Sequence, residues 1–145
     1  MSPTPERPER GLLDTSVVIH LPGIPVEHLP VATAISTITL AELTAGPLAA
    51  DDPEERARRT GRLQRAEATF DPLPFDTAAA RAYGPVFAAL RAASRSPGGR
   101  FADVLIACVA LANDLPLFTT NPVDFAGLGD LVTIVPVARP SPGPL

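Results

Sequence analysis

Short apolar runs alternate with helix-forming segments along the chain, and this alternation limits the fold more than any other feature of the sequence. Residues 11–15 (GLLDT), 34–39 (AISTIT), 72–75 (PLPF), 115–119 (LPLFT) and 131–137 (LVTIVPV) each read as a short strand. They are continuous apolar or β-branched runs rather than alternating ones, as expected for strands buried on both faces. Strands of that kind, separated by helices, imply a parallel sheet with helices on both sides. The expected fold is therefore a three-layer α/β/α domain around a central parallel sheet of about five strands. Sites in such sheets gather at the carboxyl ends of the strands, where loops lead into helices.

The intervening segments carry helix signals. SVVIHL, residues 16–21, reads as a short helix ahead of Pro22 and Pro25. Residues 40–50 have helix formers, and the stretch 51–70 opens with Asp52 as an N-cap and Pro53 at the first helical position. Asp76 caps a further helix, in which Ala79, Tyr83, Val86, Phe87 and Leu90 are spaced to share one buried face. SRSPGGR, residues 94–100, is expected to be a loop, and residues 102–113 a helix apolar almost all round. NPVDF, residues 121–125, reads as a turn or helix start. The ends, residues 1–10 and 138–145, are proline-rich and poor in large apolar side chains, so they are expected to be flexible tails around a domain spanning 11–137. With 46% hydrophobic residues in 145, one core is the expectation.

Composition excludes several functions. The longest apolar stretch is broken by Asp103, Asn113 and Asp114, short of the roughly 18 to 20 residues that cross a bilayer. The start, MSPTPERPER, has no apolar middle of the secretory kind, so a cytoplasmic location is expected. Cys108 is the one cysteine, which rules out an intrachain disulfide and a cysteine-based metal site. His20 and His28 have neither metal-binding nor triad spacing. A net charge of −4 argues against broad electrostatic wrapping of nucleic acid, so any RNA contact must be local. Arg56, Arg58, Arg59, Arg62 and Arg65 fall in one short stretch. They read as a solvated helix face paired with Glu54, Glu55 and Glu67, or as an edge whose guanidinium forks contact phosphate.

Carboxylates occupy the ends of the strands. Asp14 directly follows Leu12 and Leu13, where it serves either as a site acid or, with Ser16, as a cap of the next helix. Glu42 stands three residues after Thr39, a spacing that also fits a capping box. Asp103 opens the apolar helix, and Asp124 closes the turn that begins at Asn121. Each alone reads as a cap or turn residue. Together they are expected to gather several acids at one sheet edge, a repulsive arrangement that a divalent cation resolves. Oxygen-only donors favour a hard ion, Mg²⁺ or Mn²⁺, over Zn²⁺. Such an ion activates water and steadies charge on a phosphate, so phosphodiester hydrolysis is the expected reaction.

These segments resemble the PIN-domain ribonucleases, and within them the VapC toxins of bacterial toxin–antitoxin pairs. LLDTSVVI resembles the family's first motif, ISTITLAELTAG its second, and RFADVLIACVALANDLPLFTTNPVDF its third and fourth. The resemblance implies that Asp14, Glu42 and Asp103 are catalytic, metal-binding acids, with Glu42 acting directly or through water. It implies Asn121 and Asp124 at the more variable fourth position and Ser16 as a hydrogen-bonding support. It also implies endonucleolytic cleavage of RNA, a homodimer, and a small VapB-like antitoxin that blocks the site. Two other readings use the same residues. A catalytically inactive PIN-like binding module would lack some of the acids. A phosphatase of the haloacid dehalogenase type would need a second Asp where Ser16 stands.

Overall fold

The computed structural model describes residues 7–95 and 101–141. Strand β1 (Arg10–Leu13) leads into helix α1 (Thr15–His20), and two 3₁₀ turns carry the chain to β2 (Ala32–Ala34). Helices α2 (Thr37–Ala49), α3 (Pro53–Thr69), α4 (Thr77–Ala92) and α5 (Phe101–Ala112) follow. β3 (Leu117–Thr119), a 3₁₀ turn (Pro122–Phe125) and β4 (Ile134–Pro136) complete the order. The sheet runs β2-β1-β3-β4 with every pair parallel. This is the expected three-layer α/β/α fold, with four strands among the described residues in place of about five.

The fifth expected strand, residues 72–75, contributes only an isolated parallel bridge between Ser36 and Leu73. Pro72 and Pro74 flank Leu73 and have no amide hydrogen to give, which prevents a longer ladder there. The second expected strand, residues 34–39, is also revised. β2 lies earlier and the β-branched run from Thr37 winds into α2, because the buried Ser36 side chain accepts a hydrogen bond from the Thr39 amide at 3.1 Å and caps the helix. Asp52 and Asp76 cap α3 and α4 as expected, accepting from the Glu55 and Ala79 amides, each at 3.0 Å.

Two clusters of buried residues fill the space on opposite faces of the sheet. Leu12 and Leu117 belong to the cluster beneath α4 and α5, with Val86, Leu90, Ile106 and Val109. Leu13 and Phe118, the next residues along, belong to the other, with Val17, Val18, Leu43 and Ala66 from α1, α2 and α3. The period-two alternation of strand side chains makes this division. Gly11 permits the close approach of Phe118, since a Cβ at this position would lie 2.5 Å from the phenyl ring. On α4, Ala79, Ala82, Val86 and Leu90 are buried, whereas Phe87 is 41% exposed and lies outside the face assigned to it.

Residues at the inner edges of both proline-rich ends make contacts with the domain. Arg7 donates to the Leu29 and Pro30 carbonyls, and the Val31 and Ala32 amides donate to Pro8 and Glu9. The Arg139 guanidinium donates to Asn121 Oδ1 at 2.5 Å, and Pro140 lies so close to Gly23 that a Cβ there would meet it at 2.9 Å. These residues supply backbone carbonyl acceptors and two guanidinium groups, which compensates for their lack of large apolar groups. Residues 1–6 and 142–145, and most of the 94–100 loop, lie outside the described residues.

Candidate active site

Asp14 stands one residue beyond β1. Its amide donates to the Phe118 carbonyl at 2.9 Å, so the β1–β3 ladder fixes it to the sheet edge. Its backbone occupies the N-cap position of α1, yet its side chain makes no cap bond. The carboxylate, 3% exposed, faces β3, where Oδ2 accepts from Thr119 Oγ1 at 2.8 Å and from Ser16 Oγ at 2.8 Å. Capping is therefore not what this acid does.

A hydroxyl has one proton, and this requirement orients the network. Ser16 and Thr119 both spend theirs on Asp14 and accept in turn from the amides of Thr120, at 3.1 Å, and Asn121, at 3.0 Å. The backbone after β3 thus holds the hydroxyls that hold the carboxylate. Both bonds fall on Oδ2. Among the described residues, Asp14 Oδ1 is buried with no hydrogen-bond partner. Leaving such an atom unsatisfied costs about 1–3 kcal/mol, and more when it carries charge.

Glu42 reaches this edge by another route. The expected Thr39–Glu42 capping box is absent, because Ser36 is the cap and Glu42 lies in the second turn of α2. Glu42 Oε1 instead accepts from Thr15 Oγ1 at 2.6 Å, and Thr15 accepts from the buried Thr39 hydroxyl at 2.9 Å. Thr15, the residue next to Asp14, therefore ties the exposed Glu42 to this edge.

Asp103 is half-buried in the first turn of α5, and Asp124 is half-buried in the Pro122–Phe125 turn. These two elements pack against each other, and α5 also touches α2. Asn121 is occupied through its side-chain oxygen by Arg139 and through its amide by Thr119. Among the described residues no three His, Cys, Asp or Glu side chains come together as a cage for a metal ion. The donors still suit Mg²⁺ or Mn²⁺, since Mg²⁺ takes one or two carboxylates and completes its shell with water and phosphate oxygens. The buried Asp14 Oδ1, which accepts no hydrogen bond among the described residues, has lone pairs that could take such a ligand bond.

The sequence reading named Ser16, and Thr39 only as a cap, but passed over Thr15 and Thr119; the three threonines complete the hydroxyl network. Thr119 ends β3 as Asp14 follows β1, so the strand-end argument applied to the acids would also have found it. The arginine run divides along α3. Glu55 pairs with Arg58 at 2.6 Å and with Arg59 at 3.0 Å. These hydrogen bonds hold the Glu55 carboxyl below its usual range and raise Arg58.

An all-parallel sheet between helical layers, with a hydroxyl-braced acid on the tip of a central strand, defines an α/β domain that places oxygen donors at its carboxyl edge. Within that class, the sequence profile of the PIN domain matches residues 12–130, and the chain belongs to the PIN-domain family. It is similar to Ribonuclease VapC4 of Mycobacterium tuberculosis, at 35% identity over 129 residues, covering 86% of this chain and 95% of that protein. Ribonuclease VapC5 of the same organism is 35% identical over 130 residues, covering 88% and 93%. Among solved structures, a chain of the M. tuberculosis toxin–antitoxin system VapBC-5 superposes with a TM-score of 0.78 at 34% identity, covering 90% of this chain and 99% of that one. The haloacid dehalogenase reading fails locally, because Ser16 donates its proton to Asp14 and no second Asp stands at that position.

Proposed function

We propose that the protein is a metal-dependent endoribonuclease, the toxin of a toxin–antitoxin pair, which hydrolyses RNA phosphodiester bonds. The observation that carries this reading is the buried Asp14 carboxylate at the sheet edge, with one oxygen braced by two hydroxyls and the other without a hydrogen-bond partner among the described residues. Stability alone does not favour that arrangement, whereas a cation-binding role does. Asp14 is the principal ligand for Mg²⁺ or Mn²⁺, with Asp103, Glu42 and Asp124 as the further acids of the site. When bound, the ion supplies an activated water and steadies negative charge on the phosphate.

The chain's own residues do the positioning. Ser16 and Thr119 fix the rotamer of Asp14, and Thr15 holds Glu42 alongside. The names of the similar proteins support RNA as substrate and a VapB-like antitoxin as partner. The reading includes a homodimer acting in the cytoplasm. No helix among the described residues is long and apolar enough to cross a membrane.

The test is cleavage of total RNA by the purified protein with Mn²⁺, with EDTA, and with Asp14→Asn. Internal cuts that need both the metal and Asp14 are expected. Cleavage that survives EDTA and Asp14→Asn equally would end this reading.

A further inference from the structure

An acidic edge that cuts RNA must also hold a polyanion that it repels. The protein's net charge of −4 provides no general attraction, so specific cations near the edge must do so. Two adjoining cavities show which ones. The first, about 390 Å³, is lined by Thr15, Glu42, Arg59 and Arg62 among others. The second, about 430 Å³, continues between α1 and α3, lined by Val18 and Ile19 of α1, by Arg58, Arg62 and Arg65 of α3, and by Phe70 at the end of α3. Ile19 and Arg62 line both, so one path leads from Glu42 into the second cavity.

Three of the five α3 arginines are committed to the fold. Arg56 donates to the Ala50 carbonyl at 3.0 Å, Arg58 pairs with Glu55, and Arg59 bridges Glu55 to the Gly46 carbonyl of α2 at 3.0 Å. Arg62 and Arg65 have no hydrogen-bond or ion-pair partner among the described residues. Arg65 lies over Gly61, where a Cβ would meet its Nη1 at 3.2 Å. Two uncommitted guanidinium forks thus follow Glu42 along a path that α1 lines with the apolar Val18 and Ile19. That pairing suits a single strand of RNA, with phosphates on the arginines and unstacked bases on the apolar side.

We propose that Arg62, followed by Arg65, holds the RNA backbone on the side of the scissile bond that leaves the acidic edge past Glu42, with the flanking base in the α1–α3 cavity. This rests on the ribonuclease reading. These arginines are positioning residues: they fix the strand and do not touch the reacting phosphate.

The experiment measures fluorescence anisotropy of a labelled single-stranded RNA of mixed sequence in an Asp14→Asn background, across a salt series. Adding Arg62→Ala is expected to weaken binding roughly tenfold and to make the salt slope shallower by about 0.7, the value for one lost contact to a single strand. Adding Arg62→Ala with Arg65→Ala should remove about twice that slope. Arg62→Lys keeps the slope but not the full affinity, since it retains the charge without the fork. Arg81→Ala, the same charge change on the exposed face of α4, should leave both unchanged. In protein with Asp14 intact, Arg62→Ala should raise KM for RNA cleavage with kcat held.

Wild-type cleavage combined with unaltered RNA affinity and slope in the double arginine variant overturns this proposal alone. So does an equal loss in Arg81→Ala, or a double variant that keeps RNA binding and loses only the antitoxin. Arginine-dependent RNA binding by a wild type that cuts no RNA with Mn²⁺ overturns the ribonuclease reading instead.

Discussion

The two faces of the sheet are covered by helices of opposite character. α5 has Ile106, Ala107, Cys108, Val109 and Ala110 fully buried, and with α4 it seals its face with apolar contacts. On the other face, α3 buries one residue, Ala66, and directs its arginines outward or onto α2. The short α1 leaves a cavity beside it, with Ile19 38% exposed. Both faces are anchored by adjacent leucines of β1, so the strand gives each the same footing. The difference lies in what the helices bring. The sealed face holds the fold, and the open face, which also carries Thr15 and Glu42, is left free to bind.

The sharpest test of that division lies on the strand between the faces. Asp14→Asn should lower RNA cleavage on the order of a hundredfold or more while leaving the melting temperature without metal unchanged or higher, measured on the same preparation. Thr119→Val, which removes one brace, should lower it by about tenfold. A Thr119→Val protein with full activity would show that the brace is not needed. Asp124→Ala should cost less activity than Asp14→Asn, because it does not carry the buried oxygen.

Next come the cores. Ile106→Ala, on the sealed face, should cost about 2–5 kcal/mol in denaturant unfolding, against less than about 1 kcal/mol for Ile19→Ala on the open one. Equal losses would mean that the open face is as tightly packed as the other.

Burial pushes the Cys108 thiol up to about 11 from an ordinary 9.0. A folded value above the unfolded one means that its contribution is complete below pH 9 and is lost as pH rises through about 11. The wild type should therefore lose stability between those values more steeply than Cys108→Ala, by up to about 2 kcal/mol. Native Cys108 should also resist thiol reagents at pH 8 until the chain unfolds. The smallest effect belongs to the exposed Glu55 pairs. Their lowered carboxyl means that any contribution is present at neutral pH and fades as pH falls below the ordinary 4.5. Glu55→Gln should differ from wild type only slightly at pH 7, and not at all at high salt.

Legibility followed how locally each feature is determined. β1, Asp14 and α1 could be read from GLLDTSVVI because a buried run, an acid and a helix follow one another without outside help. The apolar helix α5 declared itself in the same way. Residues 34–39 misled because their β-branched propensity is overruled by Ser36 capping α2 and by Thr39 meeting Thr15 across 24 residues. Phe87 has helical spacing suited to burial, but only the packing of α5 decides which stripe of α4 turns inward. In the site, the acids were visible as charges at strand ends. The threonines that orient them look like ordinary strand and helix residues until β1 and β3 are paired.

That pairing has a bearing on quality control. Leu12 and Leu13 fill opposite cores, and Asp14 follows them without a spacer. A slip of β1 by one residue against β3 would exchange the two leucines between faces and drive the carboxylate into a place meant for an alkyl group. The register that seals both cores is the same one that sets the acid at the rim. A misthreaded molecule is thus unarmed as well as unstable, and the cell holding it is spared partly folded copies that can still cut.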